Sequence, residues 1–247
     1  MGKKNTVPVN PPLPLEGAWN IRELGGYPTR DGRMTRKGVF LRADGTHNLS
    51  ARDVESLRER GVTLAVDLRS PEEVRRQPSR LAGQEGIRYE NVSMFDRMHS
   101  ALLQDDFPKS MAALYAQLLH NAGVEYARVF RLFLENDGVS LFHCTAGKDR
   151  TGVVAMLLLQ LAGVPEETIA ADYAASEGNL REQEIRQRAF YAQQGLAIPA
   201  HVFGSKPEDM EQTLSLLYRE YGGAAGYLRA CGLTQEELSR LISRFVQ

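Results

Sequence analysis

Residues 139 to 161 constrain this chain more than any other stretch. Val139-Ser140-Leu141-Phe142 is a short apolar run that reads as a fully buried strand. Val153 to Leu161 is apolar nearly all round, the pattern of a helix sunk in a core. Between them, His143-Cys144-Thr145-Ala146-Gly147-Lys148-Asp149-Arg150-Thr151-Gly152 must make the strand-to-helix turn. A cysteine in such a turn faces the helix N-terminus, where unpaired backbone N–H groups and the positive end of the dipole collect anions. The same field favours thiolate over thiol. Arg150, six residues after Cys144, is spaced to close the turn over a tetrahedral anion with its planar donor fork. The plain alternative is a structural cysteine, a small core hydrophobe. Lys148, Asp149 and Arg150 argue against it, since a core turn has no use for three adjacent charges.

This constellation assigns roles. Cys144 is read as a nucleophile that takes a phosphoryl group onto sulfur, and water then releases it. The backbone of Thr145, Ala146 and Gly147, with the Arg150 guanidinium, is read as the holder of the equatorial oxygens of a phosphate or other oxyanion. Thr151 is spaced to donate its hydroxyl to the cysteine sulfur, or to bond helix backbone instead. His143 is read as a structural residue orienting the turn through a backbone hydrogen bond. Asp149 is the first candidate for the general acid that protonates the leaving oxygen, with Asp96, Asp105 and Asp106 as runners-up. Lys148 reads as a second fixed charge suited to substrates with more than one phosphate; its alternative is an ion pair, for instance with Asp67. Asp67 and Arg69 lie at a strand end, where substrate contact and a buried ion pair are both open.

The HCxxGKDRTG stretch resembles the phosphate-binding loop of the atypical bacterial protein tyrosine phosphatases, some of which also act on phosphoinositides. Three further stretches are similar to that family: Asn20-Ile21-Arg22-Glu23-Leu24-Gly25-Gly26-Tyr27, Val39-Phe40-Leu41-Arg42-Ala43, and Val66-Asp67-Leu68-Arg69-Ser70 with Glu73 following. The resemblance runs from about residue 17 to the C-terminus. It implies hydrolysis of phosphotyrosine, with phosphoserine, phosphothreonine or phosphoinositides as further substrates, and a general acid inside the loop, hence Asp149. The better-known tyrosine phosphatases carry a Trp-Pro-Asp acid loop; here the single tryptophan, Trp19, precedes Asn20.

The rest of the chain fits an α/β domain. Val62 to Leu68 is a near-continuous apolar strand after a helix opened by Ser50 and Asp53 and stopped by Gly61, which implies a parallel crossover. Pro71 opens a short helix to Arg76, and Ile87 to Val92 reads as a strand. Residues 93–108 suit either a flap over the site or packing on the core. Helices follow from the spacing of Leu114, Tyr115 and Leu118, and of Tyr126, Val129, Phe130 and Phe133. Beyond the site come Pro165, a charged helical stretch from Ser176 to Gln194, a helix with Met210, Leu214, Leu217, Tyr218 and Tyr221 on one face, and a last one capped by Thr234 and Glu237. The fold expected is a small parallel-rich central sheet surrounded by helices, with a helical C-terminal extension. Residues 1–16, with four prolines, read as an extended arm, and 17–247 as one domain.

Composition excludes several classes. A net charge of −1 over 247 residues leaves no general footprint for nucleic acid or membrane surfaces, and no segment approaches a membrane span. Two cysteines are too few for a disulfide framework, and without an apolar leader they point to the cytoplasm. No cofactor or metal is implied, since the five histidines show no ligand spacing. The partners expected are a phosphorylated protein or a phosphoinositide. The rival class is a phosphate-binding module on a catalytically dead phosphatase fold. Intact Cys144, Asp149 and Arg150 weigh against it, because a binder needs no thiolate.

Overall fold

A computed structural model describes residues 8–94, 109–195 and 198–247. Its centre is a five-stranded sheet of β1 (Arg22–Glu23), β2 (Phe40–Ala43), β3 (Val62–Asp67), β4 (Arg88–Asn91) and β5 (Val139–His143) in the order β1-β2-β5-β3-β4. Only the β1–β2 pairing is antiparallel. The register aligns Ala43, His143 and Asp67 at the C-terminal ends of three parallel strands. That edge is where ligands bind in open parallel sheets, and Cys144 is the next residue on the central one.

Strand side chains alternate between two cores. Leu41, Ala65 and Leu141 face α1 (Ala51–Glu59), meeting Val54 and Leu57. Phe40, Leu64, Val66 and Phe142 face the larger helical layer. That layer contains α3 (Met111–Asn121), α4 (Gly123–Leu134), α5 (Asp149–Leu161), α6 (Glu166–Asn179), α8 (Pro207–Tyr221), α9 (Ala224–Ala230) and α10 (Gln235–Phe245). The helix after the cysteine turn, α5, buries ten residues, so its all-round apolar sequence reflects a central position. Short α2 (Pro71–Arg76) buries none, and α7 (Arg181–Gln193) buries none.

Most expected elements form, and the departures have physical reasons. The charged stretch from Ser176 is split at Leu180, where α6 ends and α7 begins. Tyr218, expected on the buried face of its helix, is 67% exposed, while Met210, Leu214 and Leu217 are buried. One position's rotation puts it beyond the roughly 100°-wide apolar stripe. The arm's described part packs closely: Leu13 and Leu15 lie against the core, and Asn10 donates to the Glu23 and Gly25 carbonyls. Most of the 93–108 segment lies outside the described residues; Met94, at its start, is fully buried. Among the described residues no helix is long and apolar enough to cross a membrane.

Candidate active site

The turn after β5 is held at four successive carbonyls, Cys144 to Gly147. His143 Nδ1 lies 3.1 Å from the Cys144 oxygen, Gly45 N–H donates to the Thr145 oxygen at 2.9 Å, and Asn20 Nδ2 donates to the Ala146 oxygen at 3.1 Å. Arg42 donates to the Gly147 oxygen at 2.7 Å. In a planar trans peptide the next N–H points away from the carbonyl. Four carbonyls turned outward therefore direct the amides of Thr145, Ala146, Gly147 and Lys148 inward, a cradle for an oxyanion. Gly147 is required at its position: φ is +64°, and a Cβ there would stand 2.3 Å from the Ala43 oxygen.

The donors that pin the turn are themselves pinned. Asn20 accepts from Arg22 and from Asn179 at its Oδ1, which fixes the amide with Nδ2 toward the turn. Its backbone N–H and that of Trp19 both reach Asp44 at 3.0 Å. Burial pushes the Asp44 carboxyl up to about 6 against these two bonds. Arg22 and Arg42 share Asp172, and all three side chains are essentially fully buried. Two guanidiniums on one carboxylate leave a net positive charge under the cradle, which adds to the attraction of its amides for an anion.

Arg150 leaves the first turn of α5 and meets Glu73, with contacts of 2.8 and 2.9 Å. Glu73 also accepts the Thr145 hydroxyl and the backbone N–H of Ser70. It is the third residue of α2, and with Ser70 completes a capping box. Burial would raise the Glu73 carboxyl, but Arg150 and Thr145 outweigh it and hold it well below the usual carboxylate range.

Asp67 and Arg69 form the buried ion pair. Arg69 grips Asp67 at 2.7 and 3.0 Å, Tyr89 donates to the same carboxylate, and neither residue lines the cavity at the cradle. Arg69 also donates to the Gln77 oxygen beyond α2. The pair thus fixes both flanks of the helix that presents Glu73. His143 approaches Asp67 at 3.5 Å, while burial pulls its pKa below the ordinary value.

Lys148 lines the cavity, and its ammonium is engaged there. Its Nζ donates to the carbonyls of Val202 at 2.6 Å and Gly204 at 2.9 Å, and lies 3.5 Å from Asp149 rather than beside Asp67. Thr151 is fully buried, and its hydroxyl meets no partner among the described residues, so neither bond expected of it is made here. Asp149 begins α5 and accepts a 2.6 Å hydrogen bond from Tyr115. Asp96, Asp105 and Asp106 lie outside the described residues.

Above the cradle opens a cavity of about 470 Å³. Cys144, Thr145, Ala146, Lys148, Asp149 and Arg150 form its floor; Trp19, Leu180, Tyr191 and Phe203 give it apolar walls. Gly147, Thr151, Asp67 and Arg69 do not line it. Sequence reading assigned no part to Asn20, Arg42, Asp44, Tyr115 or the α7 wall. For Glu73 a signal was present: Ser70-Pro71-Glu72-Glu73 is a capping-box pattern.

A strand-end cysteine in an amide cradle, closed by an arginine, defines an oxyanion site on a mixed α/β sheet, and comparison with known proteins gives the class. The chain belongs to the tyrosine phosphatase family, whose model matches residues 13–247. It is therefore a phosphatase. It is 35% identical over 224 residues to a tyrosine-protein phosphatase of Nostoc commune, covering 85% of this chain and 74% of that one. To the triple specificity protein phosphatase PtpB of Mycobacterium tuberculosis it is 27% identical over 271 residues, covering 92% of this chain and 96% of the relative.

Proposed function

We propose that the protein hydrolyses phosphate monoesters through a phosphocysteine intermediate on Cys144, with phosphotyrosine as its preferred substrate. The observation that supports this is the cradle: four outward carbonyls aim four amides at the space beside the Cys144 sulfur. In the first step the sulfur attacks phosphorus in line, the S–P bond forms and the ester P–O bond breaks. Asp149 gives its proton to the leaving oxygen. Arg150 and the amides hold the charge that spreads over the three equatorial oxygens. In the second step Asp149 takes a proton from water, which attacks phosphorus and frees the thiolate. A working thiolate needs reducing surroundings, in keeping with the cytoplasm.

The flat apolar walls of Trp19, Tyr191 and Phe203 suit an aryl group above the phosphate. Lys148 is engaged by two backbone carbonyls, so it lends little to a second phosphate. Phosphoserine, phosphothreonine and phosphoinositides, implied by the loop's resemblance, are the comparison arms of the test.

That test is phosphate release from phosphotyrosine, phosphoserine and phosphothreonine peptides and from phosphoinositide vesicles, with Cys144→Ser beside the wild type. The serine hydroxyl stays unionised near neutral pH. The variant is expected to lose turnover by at least about 10³-fold while still binding inorganic phosphate. Turnover near wild type in that variant would end the phosphocysteine mechanism. Faster release from phosphoserine or lipid than from phosphotyrosine would replace the substrate assignment.

A further inference from the structure

The hydroxyl of Tyr115 lies 2.6 Å from Asp149 Oδ1 and 2.6 Å from the hydroxyl of Tyr173. Tyr115 projects from α3 and Tyr173 from α6, where it follows Asp172, the carboxylate shared by Arg22 and Arg42. Both side chains are buried, and their rings meet edge to face at 5.8 Å between centroids.

A phenol has one proton to give, and an ionised carboxylate only accepts. The Tyr115 proton is therefore spent on Asp149, and Tyr173 must be the donor between the two phenols. The chain has one direction, Tyr173 to Tyr115 to Asp149. Burial raises both phenol pKa values above their ordinary range, so both remain neutral donors at any working pH. Lys148 Nζ, 3.5 Å away, places its charge near the same Oδ1. Two features thus disfavour a proton on Oδ1. Oδ2 has no hydrogen-bond partner among the described residues, and its side chain lines the cavity.

We propose that Tyr115 is a positioning residue for the general acid. Its hydrogen bond fixes the rotamer of Asp149 through Oδ1 and leaves the transferable proton on Oδ2, the oxygen free to meet the leaving group. Tyr173 supports it by holding the Tyr115 hydroxyl in the donating orientation. This rests on Asp149 acting as the general acid.

The experiment compares kcat for phenyl phosphate, whose leaving group needs a proton, with kcat for 4-nitrophenyl phosphate, whose leaving group needs little. The proteins are wild type, Tyr115→Phe, Asp149→Asn and the double variant. Asp149→Asn should be slowed far more on phenyl than on nitrophenyl phosphate. Tyr115→Phe should show the same contrast at smaller size, about tenfold on phenyl phosphate and within about twofold on the nitrophenyl ester. Added to Asp149→Asn, it should cost nothing further, since the two act through one proton.

Melting temperature and inhibition by inorganic phosphate, measured alongside, report folding and the cradle. Should Tyr115→Phe fold poorly, Tyr173→Phe is the gentler variant. It should show the same leaving-group contrast at about threefold, because Tyr115 is then a less polarised donor. Equal losses on both esters, or a full further loss in the Asp149→Asn background, would make Tyr115 a packing residue and overturn the proposal. If Asp149→Asn itself shows no leaving-group contrast, the general-acid reading fails and the proposal falls with it.

Discussion

Glu73 holds three partners at once: the Arg150 fork, the Thr145 hydroxyl and the Ser70 amide. It sets the plane of the guanidinium that the proposed mechanism turns toward the phosphate, and it ties α2 to the cradle. Glu73→Gln keeps the shape but removes the charge. We expect kcat/KM to fall by about 10–100-fold, since a catalytic group displaced by an ångström loses roughly that much. The loss of stability should be about 1–3 kcal/mol near neutral pH. Because the folded carboxyl titrates below its unfolded value, that stability is fully present above about pH 4.3 and fades as pH falls toward the folded value. Urea denaturation of both proteins should show a constant difference between pH 8 and 5 and a shrinking one below about pH 4. A difference that grows in acid would show that Glu73 is not held down by Arg150.

At the scale of elements, the site is assembled where three segments meet. The β5–α5 turn supplies the cradle, α2 supplies Glu73, and the stretch between α7 and α8 closes over Lys148. The described residues of that stretch include a short 3₁₀ turn at Ala200–Val202, and the two Lys148 bonds act with the Arg188 guanidinium over Phe203 and the Glu177 carboxylate on Ser205 N–H to hold it. Lys148→Met should cost about 1–3 kcal/mol. In a chain of this length the melting temperature would fall by about 2–4 °C for each of those kcal/mol. Amide exchange should quicken at residues 198–206, and KM should rise by similar factors for singly and multiply phosphorylated substrates. A rise confined to the multiply phosphorylated ones would restore Lys148 to the role of a second anion site.

Across the whole molecule, the C-terminus and the catalytic sheet depend on each other. Phe245, at the end of α10, meets Phe40 of β2 edge to face at 4.9 Å, and Val246 bridges Thr35. Gln247 exchanges backbone hydrogen bonds with Met34. Two residues after Phe40 on β2, Arg42 carries the Gly147 carbonyl. Phe245→Ala should therefore destabilise the protein by about 3–5 kcal/mol, read from the midpoint of urea unfolding. At low temperature the folded fraction should keep its kcat, because Phe245 touches no group of the site. A matching fall in kcat per folded molecule would mean that strain at Phe40 reaches Arg42.

The sequence by itself determined those features that depend on neighbours along the chain. A buried strand, a short turn and a buried helix are local patterns, and they place Cys144, Arg150 and the amides of the turn within a few residues of one another. Capping boxes at Ser50 and Thr234, the apolar stripe ending in Phe245, and the orienting bond of His143 are local for the same reason. Tertiary structure decided what crosses from one element to another. Lys148 reached carbonyls 54 and 56 residues away, Asp172 drew Arg22 and Arg42 together, and Tyr115 of α3 met Asp149 of α5. The choice between substrate contact and ion pair at Asp67 and Arg69 also belonged there, since burial depends on what packs over a strand end. A charged or polar side chain of given type serves equally as ligand, brace or solvated surface, and only the groups that the fold brings against it select among the three.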